Sequence, residues 1–188
     1  MFKVERIPGE VVIDDDHQYW VDGAGPYRSV TRYLGTGRAW YKPEHAARGT
    51  RAHQACELYD RLGEAFTEVD EGGYLEAWIA FLHDMGERFH IIDIEVPFVA
   101  EVDGRFRYGG TLDRICRIDG ELAILDIKSG GHNAWHGAQL AAYAAPFGIS
   151  IGYDVYITKQ GRYKVSVEDS LPDVFDEWAR RVIDADHT

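Results

Sequence analysis

RFRYGGTLDRICRIDGELAILDIK, residues 105–128, is the stretch on which the fold turns. Two apolar segments flank the pair Asp119-Gly120, a dipeptide suited to the positive-φ corner of a two-residue hairpin. Such a turn pairs Ile118 with Glu121, and counting back along the ladder sets Asp113 directly opposite Asp126. Strand side chains alternate, so Asp126 and Lys128 share a face with Leu122 and Ile124, while Ala123, Leu125 and Ile127 take the other. The second segment is apolar on both faces until its last residues, where an acid and a base appear. Open sheets gather ligand sites at such strand ends.

Two carboxylates facing each other across a hairpin have Cβ atoms roughly 4.5–5.5 Å apart and repel unless something neutralises them. A shared divalent cation would do so, and hard oxygen ligands suit Mg2+ or Mn2+. Lys128 falls opposite Thr111, one step along the same surface, within reach of a phosphate oxygen or an attacking water. The competing reading is an Asp126–Lys128 ion pair on a solvated edge strand. The opposed Asp113 weighs against it.

Upstream, Asp103-Gly104 separates IIDIEVPFVAEV from the quoted segment and predicts another two-residue turn. That register places Glu95 opposite Leu112, off the Asp113 face unless a bulge at Gly109-Gly110 or near Pro97 restores it. Residues 11–21 read as a small hairpin around an acidic turn, and SVTRYLG from Ser29 as a short capped helix. PEHAARGTRAHQACELYDRL predicts a helix over 43–62 with Pro43 in its first turn, and a second helix covers 74–89. After Lys128 come a helix over 133–146, two strands turning at Gln160-Gly161, and a last helix opening near Pro172. This order makes a mixed α/β (α+β) fold, with 1–188 as one domain and 1–45 as an N-terminal extension that contacts substrate.

The composition is that of a folded chain, with 45% hydrophobic and 28% charged residues. A formal net charge of −12 opposes a general nucleic-acid-binding field. Locally the balance reverses: Arg38, Lys42, Arg48 and Arg51 meet only Glu44 between positions 38 and 51. Trp40 and Tyr41 among those cations suit either base stacking or a core. No apolar stretch approaches the roughly 20 residues of a membrane span, and MFKVERIPGEVV lacks the apolar core of a secretory leader. Two cysteines, Cys56 and Cys116, are too few for a disulfide scaffold or a four-thiolate cluster, which favours a reducing, cytoplasmic setting.

RGTRAHQACE puts Gly49 four residues before His53 on one helix face, where the glycine permits close packing against a neighbour. An imidazole suits Mn2+ better than Ca2+, although a lone helical histidine is more often structural. Beyond Lys128, residues His132, His136, Gln139 and Tyr143 form one polar stripe at steps of four, three and four. Such a stripe is ordinarily solvated. This one begins beside the lysine, so Gln139 and Tyr143 can position substrate or Lys128.

His53 in GTRAH, Glu95 in EVPF, Asp113 in YGGTLDRI, Asp126 and Lys128 in LDIKSG, and Gln139 with Tyr143 in QLAAY stand in a familiar order. From about Ser29 to Tyr156 the chain resembles the RecB-like branch of the PD-(D/E)XK nuclease superfamily. SVTRYLG followed by GTRAH is further similar to phage-type exonucleases and the mitochondrial genome-maintenance exonuclease. The resemblance implies a restriction-endonuclease-like core, a central mixed sheet flanked by helices, and metal-dependent hydrolysis of DNA phosphodiesters. It implies Mg2+ or Mn2+ held by His53, Asp113, Asp126, the Ile127 backbone carbonyl and Glu95, with Lys128 activating water or stabilising the transition state. Gln139 and Tyr143 would help place the strand. Single- or double-stranded DNA would meet Arg38, Lys42, Arg48, Arg51, His132 and His136. Two cysteines cannot supply the iron–sulfur cluster of some members, and no Walker-type loop marks a helicase motor. The expectation is a stand-alone exonuclease of replication, recombination or repair in a bacterium or phage-infected cell. An endonuclease on the same scaffold and a catalytically inactive DNA-binding module compete with it.

Overall fold

A computed structural model describes residues 1–35, 43–65 and 72–185, with side chains from residue 47 onward in the second span. Strands β1 (Val4–Arg6), β2 (Val11–Ile13), β3 (Tyr19–Val21) and β4 (Ala24–Tyr27) precede helix α1 (Val30–Tyr33). Helices α2 (Pro43–Leu62) and α3 (Tyr74–Met85) come next, then β5 (Phe89–Val102), β6 (Phe106–Ile118) and β7 (Glu121–Lys128). The chain continues through α4 (His136–Ala144), β8 (Gly152–Ile157), β9 (Tyr163–Glu168) and α5 (Leu171–Ala185). Among the described residues, no helix is long and apolar enough to cross a membrane.

Local chemistry sets several boundaries. Ser29 caps α1, its hydroxyl accepting from the Arg32 N–H at 3.3 Å. Helix α3 stops at Met85 rather than running to Phe89, because Gly86 takes φ +51 and ends the α-helical path. Helix α4 opens at His136 rather than Asn133, which leaves His132 on the preceding loop.

The main sheet has the order β1-β5-β6-β7-β8-β9, and β2-β3-β4 form a small separate sheet. Neighbours in the main sheet are antiparallel except β7 and β8, which run parallel across the α4 connection. The sheet is therefore mixed and flanked by helices, a restriction-endonuclease-like arrangement. One face of β7 sends Ile124 into a core with α4 and α5; the other sends Ala123, Leu125 and Ile127 into a core with α2 and α3. Burial on both faces explains why β7 is apolar throughout its middle.

At Asp119-Gly120 both residues have positive φ, +54 and +88, and Ile118 pairs with Glu121 as the dipeptide demands. The other hairpin departs from expectation. Asp103-Gly104 makes the corner, and the Arg105 N–H closes it on the Val102 carbonyl at 2.8 Å. Arg105 is then left over, so Val102 pairs with Phe106 and the register is moved by one residue as far as Asp93, beyond which an irregularity before Ile91 restores it. Ile94 faces Arg114 and Val96 faces Leu112, so Glu95 falls between them, level with Asp113 and not opposite Leu112.

The same place carries a change of face. Leu112 and Ile115, three residues apart on β6, pack into one core, while Cys116 and Ile118 pack into the other. A regular strand cannot put positions three apart on one side. Glu95 has φ +53, a left-handed conformation rare for a residue with a Cβ. The inversion thus centres on Glu95 and Asp113.

Candidate active site

A cleft of about 380 Å³ opens at the C-terminal end of β7, lined among others by Arg48, His53, Asp113, Asp126, Lys128, Gln139 and Tyr143. Helix α2 delivers His53 from one side. The helix lies close on the loop after β7: a Cβ at Gly49 would stand 3.4 Å from Ser129 Oγ, in van der Waals contact. His53 Nδ1 comes within 3.3 Å of Asp113 Oδ2, and the same oxygen accepts the Ile127 N–H at 2.7 Å. One ligand atom each from His53, Glu95 and Asp113 lies within 4.8 Å of the other two.

Asp126 engages the lysine instead of joining that trio. Its Oδ2 lies 2.5 Å from Lys128 Nζ, which also donates to Gln139 Oε1 at 2.6 Å. Gln139 in turn donates through Nε2 to the Tyr143 hydroxyl at 3.0 Å. The stripe on α4 is thus turned inward, and its links run from Tyr143 to the ammonium. Tyr143 sits where it does because Gly110 lacks a side chain: a Cβ there would lie 2.7 Å from the tyrosine ring and 2.8 Å from Phe98. Gly110→Ala should cost about 1–3 kcal/mol of stability by overpacking and displace Tyr143. Denaturant unfolding and the tyrosine side-chain NMR signals would check both effects.

The electrostatics are those of a site short of positive charge. Burial and the adjacent Asp113 charge push Glu95 up to about 7. Burial and the same aspartate push Asp126 up to about 7 as well. Burial works against charging His53, but Asp113 outweighs it and raises the imidazole to about 9. Burial likewise opposes the Asp113 carboxylate, and its neighbours His53 and Arg114 with the Ile127 N–H hold it below its ordinary value. Lys128 is raised in spite of burial, by Asp126 and by Asp154. Two carboxylates held near neutrality, beside an imidazole and a third carboxylate, fit a divalent cation in both donor type and charge. His53, Glu95 and Asp113 would hold it, with Asp126 adjoining.

The other sequence-derived candidates divide. Arg48 lines the cleft, and its Nε is buried without a hydrogen-bond partner. Arg51 is half-buried on the same helix. Arg38 and Lys42, with Trp40 and Tyr41, lie outside the described residues. His132 is exposed, whereas His136 is 5% exposed and its Nδ1 lies 2.8 Å from the Tyr156 hydroxyl. Ile127 meets the site through its N–H, and its side chain belongs to the core.

Two charged neighbours of the site escape the sequence reading. Arg114, fully buried, reaches Glu95 Oε1 at 3.2 Å, Asp60 Oδ2 at 2.8 Å and the Asp113 carbonyl at 2.6 Å. Asp154 lies 3.9 Å from Lys128 on the strand beside it. Each is a charge inside an apolar strand, in TLDRICRI and in IGYDVYI, which is the signal that drew attention to Asp126.

No curated protein matches the chain. A solved structure described as "Crystal structure of SSO0001" aligns over 81% of this chain and 82% of its own, at 18% identity and a TM-score of 0.38, a likeness too slight to carry an argument. The family model of the PD-(D/E)XK nuclease superfamily matches residues 25–148, about two thirds of the chain, and spans every residue of the cleft named above. With that match over the hairpin, the histidine helix and the glutamine helix, the chain belongs to the PD-(D/E)XK nuclease superfamily, whose members are metal-dependent nucleases.

Proposed function

We propose that the chain is a DNA exonuclease of the RecB-like branch, acting in replication, recombination or repair within a bacterial or phage-infected cell. The observation that carries this reading is one cleft in which His53, Asp113 and Asp126 meet an ammonium anchored by an amide. Binding alone has no use for a lysine held 2.5 Å from a carboxylate at the mouth of an acidic pocket. The similarity of SVTRYLG and GTRAH to phage-type exonucleases supports action at ends.

A divalent cation, Mg2+ or Mn2+, would lower the pKa of water and offset charge developing on the phosphate. The protein's own groups do the rest. Arg48, on the wall of the cleft, meets the backbone phosphate with its guanidinium charge. Lys128 hydrogen-bonds the attacking water or a non-bridging phosphate oxygen, and Gln139 and Tyr143 keep its ammonium in place. Water oxygen bonds to phosphorus, the phosphoester bond breaks, and the ester oxygen leaves with a proton.

End-labelled single- and double-stranded DNA incubated with Mn2+ or Mg2+ should be shortened from its ends, and closed circular DNA should survive. Cutting of closed circles would make the enzyme an endonuclease. A chelator should abolish hydrolysis and added Mn2+ restore it, as removal of an essential metal requires. Equal survival of DNA with wild type and with Asp126→Ala would leave a catalytically inactive binding module.

A further inference from the structure

A carboxylate outside the family motifs faces the lysine from the neighbouring strand. The parallel register of β7 and β8 pairs Asp126 with Asp154 and Lys128 with Tyr156. Paired residues of a ladder project to the same side, so an Asp-Ile-Lys segment lies alongside Asp-Val-Tyr. Asp154 is 4% exposed. Its Oδ2 accepts from the Tyr156 hydroxyl at 3.4 Å, and that hydroxyl lies 2.8 Å from His136 Nδ1. Its Oδ1 is buried, has no hydrogen-bond partner, and lies 3.9 Å from Lys128 Nζ. A carboxylate withdrawn from water needs a compensating cation. Among the described residues, Lys128 is the ammonium within ion-pair distance.

Lys128 already touches Asp126 and Gln139, which makes a second carboxylate look redundant. It is not redundant if Asp126 shares its charge with a divalent cation. An ammonium balanced by Asp126 alone would lose its counter-ion as the site loads and be repelled by the incoming charge. Asp154 has its other oxygen tied back by Tyr156, and it stands outside the group formed by His53, Glu95 and Asp113. We propose that Asp154 is a positioning residue that keeps Lys128 in the cleft when Asp126 is drawn to metal, an inference that rests on the nuclease reading above.

The test compares wild type with Asp154→Asn, which keeps the shape and can still accept from Tyr156. In the full chain with labelled lysine, loaded with Mg2+, the Nζ signal of Lys128 is assigned by its loss in Lys128→Met. Its hydrogen exchange with water should quicken about tenfold in Asp154→Asn. DNA turnover should fall by about 10–100-fold, the size expected when a supporting hydrogen-bond partner is lost. KM and Mn2+ affinity should stay within about twofold, and Asp154→Glu should recover part of the turnover. Unchanged exchange with unchanged turnover overturns the proposal. So does a loss of Mn2+ affinity that matches the loss of turnover, because Asp154 would then be a ligand. Should Asp154→Asn not fold, Tyr156→Phe frees Oδ2 without altering charge, and exchange at Lys128 should still quicken; an unchanged rate overturns the idea. If wild type cuts no DNA while exchange still depends on Asp154, the nuclease reading falls and the positioning role stands.

Discussion

Asp113→Asn is expected to lower DNA hydrolysis by about 10³-fold or more while leaving the fold intact. Asp113 is the point where the two halves of the cleft meet. One oxygen takes both the His53 imidazole at 3.3 Å and the Ile127 N–H at 2.7 Å, and it belongs to the trio with Glu95. The amide oxygen of asparagine can still accept from Ile127, so the end of β7 keeps its tie. What disappears is the charge. Loss of one preorganised electrostatic group typically costs about 10²–10³ in rate, and Asp113 also holds in place the imidazole proposed to bind metal. Stability should move little. The His53 pair is about a third exposed on the histidine side and contributes at most about 1 kcal/mol, or a few degrees in melting temperature. Against this, Asp113 is a cause of the raised pKa of both Glu95 and Asp126. Its removal should let both carboxyls titrate lower in the metal-free protein, measurable by carboxyl carbon NMR. Hydrolysis near wild-type rate in Asp113→Asn would sink the assignment of this cleft as the active site.

Arg114→Met should be the most destabilising substitution near the site, by about 3–5 kcal/mol, the cost of breaking one side of a buried pair. The guanidinium is fully enclosed, the Asp60 carboxylate it meets is 1% exposed, and the two come from strand and helix 54 residues apart. Asp60 would keep the Trp78 Nε1–H at 2.8 Å but lose its cation. Glu95, at φ +53 beside a second carboxylate, would lose the group that holds it. A fall in melting temperature of roughly 6–20 °C follows for a domain of this size. Pairing Arg114→Met with Asp60→Leu should recover a large part of it, since the penalty is mostly the stranded charge. A loss below about 1 kcal/mol would mean that water already reaches Asp60.

These two residues mark where sequence reasoning stopped. The register beside Asp113 was legible because a two-residue Asp-Gly corner dictates several pairs, and the ladder follows it from Ile118 and Glu121 to Arg114 and Leu125, one step short of Asp113 and Asp126. Helix α2 was legible to the residue, with Pro43 at its start and the glycine at 63 past its end. Gln139 and Tyr143 were found by helical spacing, which is also local. Arg114 was not, because its burial depends on Asp60 and Trp78, which reach it from other elements.

Glu95 is the instructive case. A corner of the same two residue types gave opposite outcomes at its two occurrences. Ile118 meets Glu121 at one, while Arg105 is set aside at the other and shifts β5 by a residue. The two corners share their residue types, so the dipeptide alone does not set the register.

By itself, then, the chain's order of residues determined the helices, the β6–β7 register, and the cluster of Asp126, Lys128, Gln139 and Tyr143, all set by spacings shorter than one hairpin or helix. Only the tertiary structure decided that His53 reaches Asp113, that Glu95 turns level with it, and that Asp154 lies beside Lys128. Each of those contacts joins segments whose approach is governed by the burial of apolar faces and by a parallel crossover, and neither leaves a local imprint on the residues that meet.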